Sequence, residues 1–193
     1  MANASTTGFG FRPIKKIAQN YNNAALSEYN VAASSALISH ACLVQLTADG
    51  VVLASGNTTT NNLGTLNGVF YTDATSNKPT FSNFSPAANT ATDIVAFIND
   101  DPMQMFEVMS ADTAFNQNEV GHLADQVLAV GTTPLFISKS KISATTATTQ
   151  AQLFIMGVSR DPDHSDTTEE GFALRVQIRE HILVGNDTQR AGV

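Results

Sequence analysis

From Phe172 to Ile182 the chain alternates apolar and polar side chains. Phe172, Leu174, Val176, Ile178 and Ile182 stand on one side, and Arg175, Gln177, Arg179 and His181 on the other. A period of two puts every second side chain on the same face of an extended backbone, so the segment reads as a long strand with one face on a core. A helix would scatter the same apolar groups around its circumference. Such a strand needs ladder partners for its N–H and C=O groups, and the rest of the chain must supply them.

Partners are easy to find. Cys42–Leu46 and Val51–Ala54 flank Thr47-Ala48-Asp49-Gly50, and the Asp-Gly pair fits a hairpin turn. Leu66–Thr72 reads as a strand. Ile94–Ile98 and Met103–Met109 read as a second hairpin around the turn Asn99-Asp100-Asp101-Pro102. Leu135–Ser138 and Leu153–Ser159 are further strand candidates. Between Asn77 and Pro86, two prolines surround Phe81 and Phe84, which points to an ordered loop rather than a ladder interior. Asn118–Ala129 is the helix candidate, with Asn118 as cap and Val120, Leu123, Val127 and Leu128 at helical spacing. The sum is a mainly β fold, a sandwich or small barrel with one short helix and extended termini.

Three regions follow: an extended N-terminal arm over residues 1–30, a β-rich domain over 31–184 and a polar C-terminal tail over 185–193. The arm carries Phe9, Phe11, Ile14, Ile17 and Tyr21, too many large apolar groups for a free tail. Either it docks on a neighbouring molecule or it folds back on its own core; both readings are open at this level.

Charge narrows the partners. Only 14% of residues are charged and the net charge is −7. The basic residues are scattered, with no stripe to neutralise phosphates, so no nucleic-acid partner is expected. No apolar run has the length of a membrane span. The first residues lack a charged segment followed by an apolar one, so no secretory leader is expected and synthesis in a cytoplasm is. The single cysteine, Cys42, lies in an apolar run and reads as a small buried hydrophobe.

Catalytic signatures of the usual spacing are missing. The nearest approach is Asp161-Pro162-Asp163-His164-Ser165-Asp166 with Glu169 and Glu170, whose carboxylates and imidazole are of the kind that bind a hard cation or move a proton. The spacing misses a calcium loop, and a solvated turn between strands explains it better. Asp100-Asp101 reads the same way. His40, His122, His164 and His181 are dispersed. No catalytic residue, metal or cofactor is expected. Met103, Met105 and Met109 share one side of a strand and read as core.

Several segments resemble one family. They are Gly8-Phe9-Gly10-Phe11-Arg12-Pro13, Gly68 to Asp73, Lys78-Pro79-Thr80-Phe81-Ser82-Asn83, Val95-Ala96-Phe97 with Asp101-Pro102, Phe106-Glu107-Val108, and Met156 to Pro162. In order along nearly the whole chain, they resemble capsid decoration (cement) proteins of marine tailed phages. The resemblance implies a non-enzymatic virion protein on the outer capsid surface that stabilises the shell by bridging capsomers. Its partners would be the major capsid protein and further copies of itself, as in a trimer. The alternatives are a tail, baseplate or head-fibre component that contacts the host surface, and then a small metal-binding hydrolase. Phe9, Phe11, Arg12, Pro13, Tyr21, Pro79, Phe81 and Phe84 are the candidate contact residues.

Overall fold

The computed structural model describes residues 3–17, 26–33, 35–56, 61–143 and 151–184. In chain order the strands are β1 (Arg12–Lys16), β2 (Ser27–Asn30), β3 (Leu43–Thr47), β4 (Gly50–Leu53), β5 (Gly64–Thr72), β6 (Pro79–Ser82), β7 (Val95–Asn99), β8 (Gln104–Met109), β9 (Leu123–Ala124), β10 (Gln126–Val127), β11 (Lys141–Ile142), β12 (Leu153–Val158) and β13 (Ala173–Ile178). A five-stranded sheet runs β1-β8-β13-β12-β9; a six-stranded one runs β2-β7-β5-β3-β4, with β6 also on β5. Strands β10 and β11 form a small ribbon. The named ladders are all antiparallel. The fold is mainly β, its sheets packed as a sandwich.

The alternating segment behaves as its pattern requires over β13. Leu174, Val176 and Ile178 are buried, while Arg175 and Gln177 are half-buried. They join Phe106, Val108, Leu153 and Ile155, with Leu43 and Ala54 from the other sheet, in one core. A second core, with Val44, Val51, Leu66, Val69, Ala96 and Ile98, lies inside the six-stranded sheet. A parallel bridge between Val31 and Val51 ties the two ends of that sheet together. Gly50 makes this approach possible, since it has φ +123° and a Cβ there would lie 2.6 Å from the Asn30 carbonyl.

Five expectations need correction. Strands β7 and β8 are not a hairpin: β7 lies between β2 and β5, and β8 between β1 and β13. The turn between them is a corner joining the sheets, and its adjacent carboxylates go opposite ways. Asp100 accepts the hydroxyls of Tyr29 (2.6 Å) and Ser27 (2.9 Å) beside β2; Asp101 pairs with Lys16 on β1. The helix over Asn118–Ala129 does not form. A 3-10 turn at Gln117–Glu119 ends at Gly121, φ +92°, and the chain then leaves in β9 and β10, drawn into ladders with β12 and β11. Among the described residues the helical content is this turn and a second at Pro162–His164. The expected loop around Phe81 contains β6, with Pro79 opening an edge strand where its missing N–H costs least. Leu135–Ser138 is a turn, with one bridge from Ile137 to His40. Strand β13 stops at Ile178 because the chain turns there to bring His181 against Asn62.

The described part of the N-terminal segment lies on the domain's own surface. β1 pairs with β8, and Phe11 is fully buried. Further out, Asn3 donates to the carbonyls of Asp166, Glu169 and Glu170 and accepts from the Asp166 amide, strapping the chain start over that loop. Gly171 lets the strap sit close, since a Cβ there would lie 2.3 Å from the Ser5 carbonyl.

Candidate interaction surface

The contact residues inferred from sequence fall into two groups. In the first, the Arg12 guanidinium lies 3.6 Å over the Phe9 ring and 3.6 Å from the Glu107 carboxylate. His164 also lies against Phe9, 5.5 Å away between ring centroids and tilted by 50°. Pro13 is half-buried on β1. Phe11 is a correction: it is core, its amide donating to the Ala41 carbonyl, and it offers nothing to a partner. Tyr21 lies outside the described residues.

The second group is the outer face of the six-stranded sheet. Phe81 is 76% exposed, yet its backbone is held in the β5–β6 ladder opposite Phe70. Its ring lies 4.8 Å from Phe70 and 6.3 Å from Phe97, almost parallel to the latter at 17°. Pro79, exposed, opens the same strand. Phe84 stacks on Phe136 at 3.9 Å and 18°, and the Asn83 side chain donates to the Leu135 carbonyl at 2.7 Å. The 131–138 turn is thereby fixed against this strand, with Leu135 exposed. The same turn forms one wall of a groove of about 270 Å³ whose other wall includes Thr7 and Phe9. The turn thus borders both groups.

Sequence reading missed Phe70, Phe97, Leu135 and Phe136. Phe97 was hidden because Val95-Ala96-Phe97-Ile98 is apolar throughout, so it does not announce which face is outward, and Phe70 because it sits in the run Val69-Phe70-Tyr71, which is equally ambiguous. Once Phe70 is registered with Phe81, the aromatic face follows from strand alternation alone.

The titratable clusters are occupied with local architecture. Asp161 accepts the Asp163 amide and caps the 3-10 turn. Buried His164 has Nδ1 2.8 Å from the Gly171 carbonyl, so that nitrogen carries the proton. The Thr168 hydroxyl and amide hold half-buried Asp166 at about 2. At the corner, burial and the Asp100 hydrogen bond push Tyr29 up to about 12. Burial also pushes Asp101 upward, but Lys16 and the Met103 amide outweigh it and leave the carboxyl below its ordinary value. Burial raises the Cys42 thiol. Among the described residues no three His, Cys, Asp or Glu side chains are placed to hold a metal ion.

Among the described residues, no helix is long and apolar enough to cross a membrane. Comparison with known family models, with curated proteins and with solved structures finds no match.

Proposed function

We propose that the chain is a structural protein of a virus particle that binds the outer capsid surface and cements the shell by bridging capsomers. The observation that carries the proposal is the rigid aromatic face around Phe81. A large apolar side chain held in a ladder but left 76% exposed costs solvation in the isolated protein. Covering it recovers that cost, and because the backbone is already ordered by the sheet, little entropy is lost on docking. Aromatic groups of this kind supply a disproportionate share of interface energy. The segments that resemble phage decoration proteins include Lys78 to Asn83, which carries Phe81 itself. The acidic, sparsely charged composition fits a chain that docks on protein rather than on nucleic acid.

The test is recruitment. Purified protein mixed with expanded capsids of a tailed phage that carries this gene should bind in stoichiometric copy number over the shell, and the decorated particles should release DNA at a higher temperature. Capsids that neither recruit the protein nor gain heat resistance overturn the proposal. Density confined to the tail selects a host-contacting tail or fibre component instead.

A further inference from the structure

We infer that the face around Phe81 receives an arginine-bearing apolar segment of a protein partner. This rests on the reading that the face is a docking surface, and it adds the chemistry of what docks.

A ladder register at one end of the aromatic trio, and a hydrogen bond at the other, each place a carboxylate. Glu28 is paired directly opposite Phe97, so its side chain shares the outer face with that ring. At the other end, Val95 is paired with Phe70. Two residues before Val95, Asp93 has its carboxylate on the Thr72 amide, at 3.1 and 3.2 Å. Glu28 and Asp93 are both exposed. Asp73 adds a third acid beside Thr72, and exposed Lys78, next to Pro79, lies on the same rim. The face is therefore apolar in the middle and acidic at its ends.

A purely apolar cover would strip water from Glu28 and Asp93 without giving them a partner, which is costly. A guanidinium answers both needs. Its plane stacks on an aromatic ring while its N–H groups reach a carboxylate, and it is more weakly hydrated than an ammonium. The chain already contains that arrangement at a smaller scale, with Arg12 over Phe9 and beside Glu107.

The experiment uses the full chain and an acetylated, amidated pentapeptide alternating leucine and arginine. Two control peptides replace arginine by its neutral isostere citrulline or by lysine. Binding is followed by calorimetry and by NMR shifts at Phe70, Phe81, Phe97 and Glu28. The arginine peptide should bind about tenfold more tightly than the citrulline peptide and several-fold more tightly than the lysine one. Glu28→Gln combined with Asp93→Asn should erase the difference between arginine and citrulline. Phe81→Ala should weaken arginine binding about tenfold, with the melting curve showing that the fold persists. Equal affinity for arginine and citrulline peptides overturns the inference, as does the absence of shifts on this face. So does tighter binding of a neutral hexasaccharide to the same residues.

The two proposals fail separately. Capsids that recruit the protein while the peptides show no arginine preference leave the shell reading standing and remove this one. Peptides that bind as described while no capsid recruits the protein do the reverse.

Discussion

His181 sets an acid limit on the stability of this fold. The ring is 1% exposed, and Nδ1 accepts the Leu183 amide at 3.2 Å, so the neutral ring carries its proton on Nε2. Burial lowers its pKa below the ordinary 6.5, although Asp100 and Asp101 pull the other way. The unfolded chain therefore takes up a proton first as pH falls. Stability is full above the unfolded value and declines as pH drops below about 6.5, until the folded ring also titrates. Denaturant titrations between pH 7.5 and pH 5 should show this loss, and His181→Gln should flatten it. A slope that persists unchanged in that variant assigns the effect elsewhere. The depressed carboxylates Asp73, Asp93, Asp101 and Asp166 act in a lower window, below about pH 4. Tyr29 gives the opposite limb. Its folded pKa of about 12 lies above the ordinary 10.0, so its contribution is whole below pH 10 and fades as pH rises from 10 to 12. Tyr29→Phe should remove that alkaline loss, read from the same titrations.

At the scale of elements, two phenylalanines separate packing from docking. Phe106 on β8 is fully enclosed between β1 and β13 and belongs to the larger core. Phe106→Ala should cost about 3–5 kcal/mol of unfolding free energy. Phe81 on β6 touches other rings mainly through Phe70 and Phe97, so Phe81→Ala should cost only about 0.5–1.5 kcal/mol. Chemical denaturation of the two variants checks the contrast, and equal losses would mean that Phe81 is a structural side chain. The same elements show what the sequence could disclose. The β3–β4 hairpin, β12 and β13 were readable because alternation or an Asp-Gly turn is a local signal. The corner at Asn99–Pro102 was not, because short, continuously apolar strands look alike in sequence whether they pair with each other or with different sheets. What decides is long-range: Asp100 bound to Ser27 and Tyr29, and Asp101 to Lys16. The false helix has the same origin. Its spacing was locally sound, but Leu123 and Ala124 are buried in a ladder, and Val127 and Leu128 are exposed. Half of the candidate face was legible through Pro79, Phe81 and Phe84; Phe70 and Phe97 required the register.

At the scale of the whole molecule, the question is whether the start of the chain is an appendage or part of the sandwich. The described residues 3–17 supply an edge strand, a core side chain and a strap. β1 closes one edge of the five-stranded sheet, and Pro13, a bulge and Lys15-Lys16 blunt that edge against further pairing. Phe11 fills the larger core, and loss of such a side chain alone costs about 3–5 kcal/mol. Asn3 ties down the Asp166–Glu170 loop. A domain of this size has only about 5–15 kcal/mol of net stability to lose. A chain lacking residues 1–17 should therefore fail to unfold cooperatively in calorimetry and should elute as an expanded or aggregated species. Loss of particle binding by that truncation would report unfolding, not a missing contact, so Phe81→Ala is the variant that isolates docking. A truncated chain that still melts cooperatively within a few degrees of the full one would show that β1 and Phe11 are dispensable to the fold, and would return the segment to the role of a contact arm.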